Sequence, residues 1–384
     1  MVDEFARIRR WTEGRQSAEW QRERGVVIGI GDDAAVLEPP GEGRLQWVMA
    51  VDTMVETVHF NSATMDEPDI GWKALAANVS DLAAMGAVPR YALVSVSVPP
   101  SYGPERMRRL YDGLYACADR YGVAVVGGDT TSSPGGLVVA VTAAGTVEPG
   151  RALRRSGAQP GDAVFVTGPV GMAAAGLHWL TAAGAAGAAG GRGAGPAGSG
   201  PAAEARAGSD MAGGGAGPVP ESLAEASGVA ALVRAHRRPA PSPAAGRLLA
   251  ARGSCRSLND VSDGLASEAW ELAEASGVAL ALRAEALPLS GSLASYASAA
   301  GVDPFDWMLY GGEDYVLIGT IDPADAEGAK AACAAQGLPF YVIGSVEPGP
   351  PDVRLETGSR GKRVAVPKRG YNHFTDSEGD THDD

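Results

Sequence analysis

The stretch Gly29-Ile30-Gly31-Asp32-Asp33-Ala34-Ala35-Val36-Leu37 sets how the rest of the chain is read. Two glycines flank a β-branched residue, two adjacent carboxylates follow, and a small apolar run closes the segment. Glycine permits tight turns and close approach of backbone to a ligand. Paired aspartates supply the hard oxygen ligands that Mg2+ or Ca2+ takes. Gly-Asp-Asp also composes an ordinary turn. The metal reading gains weight because aspartates in similar Gly, Ser or Thr settings recur at Asp52, Asp81, Asp129, Asp260 and Asp263. They are expected to converge on metal ions that hold a nucleoside triphosphate.

With 384 residues, 45% of them hydrophobic, the chain can bury a real core and is expected to form two domains. No apolar run reaches the roughly 18 residues that would suggest a membrane span. The start, MVDEFARIRRW, lacks the apolar centre of a signal peptide. Cys117, Cys255 and Cys333 make neither a disulfide framework nor a zinc spacing, so a reducing cytoplasm is the expected setting. Net charge is −14, of which five acids fall between Asp376 and Asp384. Such an acidic balance argues against nucleic acid as a partner. The only lysines are Lys73, Lys330, Lys362 and Lys368, and no Walker-type loop occurs. Phosphate must then be held by metal, arginine and backbone N–H groups.

Along the chain, residues 1–24 read as a helix with Phe5, Ile8 and Trp11 on one side, followed by a polar connector. Val26–Ile30 and Gln46–Val51 read as strands, the second delivering Asp52 from its end. Asp69 is a plausible N-cap for a helix over 70–85, stopped by Gly86, with Asn78 and Asp81 on one face. A strand over 91–99 and a helix opening at Pro104 follow. A strand over 123–126 then ends in Gly127-Gly128-Asp129-Thr130-Thr131, which suits either a hairpin turn or backbone wrapped round phosphate. The strand 137–147 precedes Arg151, Arg154 and Arg155, a phosphate clamp or a solvated basic turn. Composition shifts near 150, where the boundary between a domain over 1–149 and another over 150–375 is placed. From Thr181 to Pro220, Gly and Ala supply 27 of 40 residues, which predicts a flexible insertion without chemistry. Asp260 and Asp263 precede a helix beginning at Gly264; Asp263 reads as an N-cap or as half of a metal–phosphate site. Gly311-Gly312-Glu313-Asp314-Tyr315 again places acids beside a glycine pair, and Phe340–Ile343 reads as a last core strand. The aromatic island Tyr371-Asn372-His373-Phe374 precedes an acidic tail over 376–384 and must pack on something, a planar ligand included.

Taken together, GIGDDAAVL, VDTMVETVHF, KALAANVSDLAAMGA, GGDTT, RALRRSGAQPGD, NDVSDGL, GGEDY and GYNHF resemble the thiamine-monophosphate kinases. That family lies within the ATP-binding superfamily of aminoimidazole ribonucleotide synthetase. The resemblance implies an α/β synthetase-like fold of two domains, the N-terminal sheet pairing across a homodimer. It further implies transfer of the ATP γ-phosphoryl group to thiamine monophosphate, giving thiamine diphosphate and ADP. Carried over by position, Asp33, Asp52, Asp81, Asp129, Asp260 and Asp263 would be Mg2+ ligands. Gly128, Asp129, Arg155 and Ser262 would contact ATP, and His59, Glu313 and Tyr371 the thiamine substrate. Ala50 and Val51 depart from the hydroxyl residues common in relatives beside the metal aspartate, and Thr57 replaces a usual glycine.

The chemistry is consistent with those letters. A phosphate acceptor oxygen is already anionic near neutral pH, so the difficulty is bringing two polyanions together rather than deprotonating one. That calls for several Mg2+ ions and no Ser/His/Asp arrangement. Rival readings are another synthetase of the superfamily and a non-catalytic thiamine-phosphate or nucleotide-binding regulator. A selenophosphate synthetase would want a reactive cysteine before Cys117, and a hydrogenase-maturation protein would end in cysteine rather than Asp384.

Overall fold

Buried and exposed residues alternate along Gln46–Val55, with Gln46, Val48, Ala50 and Met54 inward and Met49, Val51 and Thr53 outward. A period of two is that of a strand with one face on a core. The computed structural model describes residues 17–23, 25–29, 31–38, 45–190, 228–358 and 361–371. The proposed helix positions Phe5, Ile8 and Trp11 lie outside them.

The first half comprises α1 (Ala18–Arg22), β1 (Val26–Ile28), β2 (Ala35–Leu37), β3 (Gln46–Val55), α2 (Glu67–Ala84), β4 (Val88–Val98), α3 (Pro104–Tyr121), β5 (Ala124–Ser132) and β6 (Val138–Val147). Its six strands form one sheet in the order β1-β2-β3-β6-β4-β5. The second half comprises β7 (Ala163–Val166), α4 (Met172–Gly190), α5 (Val229–Arg237), α6 (Pro243–Arg252), β8 (Cys255–Asp260), α7 (Leu265–Ser276), β9 (Ala279–Arg283), α8 (Gly291–Ala300), α9 (Pro304–Tyr310), β10 (Leu317–Ile321), α10 (Ala326–Ala335), β11 (Tyr341–Glu347), β12 (Asp352–Thr357) and β13 (Lys362–Ala365). Its seven strands are ordered β13-β12-β9-β11-β7-β10-β8.

Helix α2 is the central element. It begins at Glu67 behind the N-cap Asp66, with Pro68 in its first turn, so Asp69 lies inside the helix rather than capping it. Asp69 instead accepts a hydrogen bond from Arg238 Nε at 2.6 Å. Gly71 and the alanines of α2 follow from burial on nearly every side, since close neighbours exclude large side chains. A Cβ on Gly71 would come within 1.9 Å of Leu110 O on α3, and one on Gly246 of α6 within 2.0 Å of Ala83 O. Ala83 and Ala84 thereby join Leu249, Phe165 and Leu258 of the second half in one apolar cluster.

Several expectations are corrected. β3 runs on to Val55, which puts Asp52 inside a strand and on its inward-facing side. Gly127-Gly128-Asp129-Thr130-Thr131 is not a turn but the exposed continuation of β5, paired parallel to β4. Residues 181–190 continue helix α4, so the Gly/Ala-rich stretch starts helical; 191–220 lie outside the described residues, as does the acidic tail. Phe340–Ile343 is not the last core strand: β12 follows, pairing parallel to β9, and β13 closes the edge. Gly264, at φ 112°, occupies the N-cap of α7 in place of Asp263.

Candidate active site

Three segments far apart in the chain meet where α2 passes the end of β8. The turn between β1 and β2 carries Asp33, the last turns of α2 carry Asp81, and the end of β8 carries Asp260. A carboxylate oxygen from each lies within 4.8 Å of the others. Asp52 approaches from β3, close enough to Asp81 and Asp260 for the carboxyls to influence one another. Ser80 Oγ donates to Asp260 Oδ2 at 2.5 Å, tying α2 to β8. Of the three arginines after β6, Arg155 turns inward, while Arg151 and Arg154 are exposed. Its guanidinium holds Asp33 Oδ1 at 2.5 Å and Glu271 Oε2 at 3.2 Å, and its backbone N–H donates to Asp32 Oδ1.

These acids crowd together out of water. Burial raises the Asp33 carboxyl well above its usual range, Arg155 opposing and Asp260 reinforcing the shift. Burial, then Asp52, Asp260 and Asp33, does the same to Asp81. Asp260 is pushed up to about 6, again mainly by burial. Asp33 Oδ2 is buried with no hydrogen-bond partner among the described residues. A set of hard oxygen donors, one orphaned and all repelling one another, fits a divalent cation such as Mg2+.

The linkage has a definite sign. A carboxyl whose folded pKa lies above its unfolded value stabilises the fold fully below the unfolded value, and that contribution is lost as pH rises through the folded one. For Asp260 the window runs from 3.8 to about 6. The cluster should therefore lower the melting temperature of the metal-free protein between about pH 5 and about pH 7.5, and Mg2+ should restore more at the higher pH. Thermal melts in EDTA and in MgCl2 at both pH values check this; an equal Mg2+ effect at the two would contradict it.

Asp129 does not join the cluster. The register Asp52–Val141–Val94–Gly128 places it beyond three strand spacings from Asp52, roughly 14 Å at about 4.8 Å per strand. It lies instead with Gly127, Gly128, Tyr111, Tyr115 and Val125 around a cavity of about 430 Å3 at the sheet edge. A Cβ on Gly128 would meet Val94 O at 1.8 Å, which explains the glycine by close strand approach. Ser262 and Asp263 sit under Glu268, whose Oε1 accepts from the Asp263 backbone N–H at 3.0 Å. His59 Nδ1 accepts from the Val55 N–H at 3.0 Å, and its ring centroid is 6.4 Å from that of Tyr371. The Tyr371 N–H donates to Asp263 O; residues 372–374 lie outside the described part. Thr57 has φ 73°, a conformation that strains a β-branched residue and that the usual glycine adopts freely.

Five site residues were missed by reading the sequence. Glu268 and Glu271 line the buried side of α7, and Asn259 Nδ2 donates to both, at 2.6 and 3.2 Å. Their signal was available: acids three apart on one face, just after Asp263, on a helix whose remaining inward positions are Leu and Ala. Tyr315 lies within electrostatic reach of Glu313, Asp52, Asp260 and Asp263. Lys73 and His236 both contact Glu313. Nothing local announces the last three.

The model of "AIR synthase related protein, N-terminal domain" matches residues 31–147, and that of the C-terminal domain matches 243–355. The chain is 37% identical to the thiamine-monophosphate kinase of Bacillus subtilis (strain 168) over 91% of its length and 94% of that relative's. It is 31% identical to that of Escherichia coli (strain K12), covering 97% and 98%. Among solved structures, AaThiL complexed with AMPPCP and TMP superposes with a TM-score of 0.72 at 28% identity, over 97% of both chains. The thiamine-monophosphate kinase of Stenotrophomonas maltophilia K279a gives 0.65 at 32% identity, over 93% and 96%. The hydrogenase maturation protein HypE of E. coli, at 19% identity and a TM-score of 0.62, shares the fold. By identity and coverage together, the chain belongs to the thiamine-monophosphate kinase family.

Proposed function

We propose that the protein transfers the γ-phosphoryl group of ATP directly to the phosphate of thiamine monophosphate, yielding thiamine diphosphate and ADP. The observation that carries the reading is the meeting of Asp33, Asp81 and Asp260 within 4.8 Å beside the guanidinium of Arg155. Asp33, Asp52, Asp81, Asp260 and Asp263 would hold Mg2+ there, while Asp129, three strand spacings away, would hold only a separate ion at the sheet edge. Bound Mg2+ supplies charge neutralisation between two polyanions and polarises the transferred phosphoryl group.

The chain's own residues then have distinct tasks. The cavity beside Gly128 presents Tyr111 and Tyr115, faces suited to a nucleotide base. Arg155 and Ser262 orient the phosphates, Arg155 through its bidentate fork. His59, Glu313 and Tyr371 receive the acceptor. An acceptor oxygen displaces ADP in line: a P–O bond forms to thiamine monophosphate while the bond to the β-phosphate oxygen breaks, its electron pair leaving on ADP. A labelled phosphoryl group found on the protein itself would refute the direct route.

We place the enzyme as a homodimer. The outer face of the first sheet exposes Met49, Val51, Tyr91, Leu93 and Val126, an apolar surface that pairing would cover. No helix among the described residues is long and apolar enough to cross a membrane.

The deciding experiment is Mg2+-dependent ADP release with thiamine monophosphate, set against thiamine and aminoimidazole ribonucleotide. Turnover is expected with the first acceptor alone. Binding of thiamine monophosphate without ADP release would favour a regulator, and turnover with aminoimidazole ribonucleotide a different synthetase.

A further inference from the structure

Glu313 is held from two directions by residues of the two halves. Lys73 of α2 places Nζ 2.5 Å from Oε1, its side chain 1% exposed. His236, near the end of α5 and equally buried, places Nδ1 3.1 Å from Oε2. The Glu313 side chain keeps 27% of its surface open. The loop that carries it is also constrained. Glu313 and Tyr315 have φ of 68° and 51°, conformations that persist only when the surroundings impose them. The Glu313 N–H donates to Ser262 O at 2.6 Å and the Tyr315 N–H to Val261 O at 2.9 Å. Between them, the Asp314 carboxylate accepts the backbone N–H groups of Gly171 and Ala173 at the start of α4.

Stability alone is a poor explanation for this arrangement. Apolar residues of similar volume commonly replace a buried ion pair at no cost to the fold. Each Glu313 carboxylate oxygen has one close nitrogen neighbour and two lone pairs, so its open part remains a directed acceptor. Thiamine monophosphate offers it an amino group and a thiazolium cation. We propose that Lys73 and His236 are positioning residues that hold the Glu313 carboxylate in one orientation toward the thiamine moiety, and so set affinity for the phosphoryl acceptor. The inference rests on Glu313 being the acceptor-facing acid of the function proposed above. Burial alone would raise the Glu313 carboxyl, yet Lys73 and His236 outweigh it and hold it down at about 2.

The test is calorimetric binding of thiamine monophosphate without ATP, combined with KM values for both substrates. K73M and H236L should each weaken thiamine monophosphate binding at least about tenfold, whereas H236N, whose amide nitrogen can stand beside Oε2 where Nδ1 does, should stay within about threefold. KM for ATP should move by less than about twofold. In an E313Q background, K73M should add little, because it acts through the group already altered. Native-like affinity in K73M and H236L, equal loss for both substrates, or full additivity with E313Q would overturn the inference. Should K73M fail to fold, the H236L and H236N pair decides it alone. A wild-type protein that turns over thiamine monophosphate while these variants match it sinks this inference only. One that binds no thiamine monophosphate sinks the proposed function, and this inference with it.

Discussion

Replacing Asp81 with asparagine is expected to slow phosphoryl transfer on the order of a thousandfold, about 4 kcal/mol of barrier, while making the metal-free protein harder to unfold. The two effects have one cause. Asp81 is crowded by Asp52, Asp260 and Asp33 in a site with little water, and each negative charge raises the cost of the next. Those charges repel without a cation and become useful only with one. An amide of the same shape removes a charge from the crowd, which should gain on the order of 1 kcal/mol near neutral pH in EDTA. It also removes an oxygen donor carrying full charge, so Mg2+ affinity should fall and the stabilisation by Mg2+ should shrink. Steady-state kinetics across a Mg2+ titration, together with melts with and without metal, separate the two. A variant that loses activity yet keeps the wild-type response of melting temperature to Mg2+ would place Asp81 outside the metal site.

Gly71→Ala should be among the most destabilising single methyl additions in the first half. The new Cβ would sit 1.9 Å from Leu110 O on α3, and Gly113 meets Pro68 O of α2 at 1.8 Å from the other side of the same crossing. Both obstacles are backbone, so no rotamer change relieves them. The helices must separate, at a cost of about 3 kcal/mol or more, a fall in melting temperature of about 5–10 °C. Gly291→Ala is the control, since nothing lies within 4 Å of its Cβ and the position is helical. There alanine should be neutral or stabilising by up to about 1 kcal/mol. A small effect at Gly71 would mean that α2 and α3 do not cross closely. Because α2 also carries Lys73 and Asp81, loosening it should reach the chemistry as well as the fold.

Much of the architecture was written locally. Pro104 near the start of α3 and Gly122 in the left-handed conformation just past its end mark that helix in the sequence itself. The recurring aspartates identified the kind of chemistry, because a carboxylate beside glycine and hydroxyl residues suits a metal and phosphate wherever it folds. Where the reading slipped, the local letters were ambiguous. Gly127-Gly128 suits a turn as well as a strand squeezed against Val94, and only the parallel pairing with β4 selects the strand. The inward direction of Asp52 likewise depends on how far β3 runs.

What the sequence determined by itself was most of the elements, β12 and β13 aside, and the stock of acidic ligands, since both depend on residues near one another in the chain. The tertiary structure alone decided which ligands meet. Asp33, Asp81 and Asp260 come together because α2 wedges between two sheets, whereas Asp129, with the same letters around it, is carried to a distant edge by three strand spacings of register. Lys73 and His236 acquire a task only where α2 and α5 close on Glu313. Contacts of that kind arise from helix crossings and sheet registers, which are set by packing across the whole molecule and leave no mark on neighbouring residues.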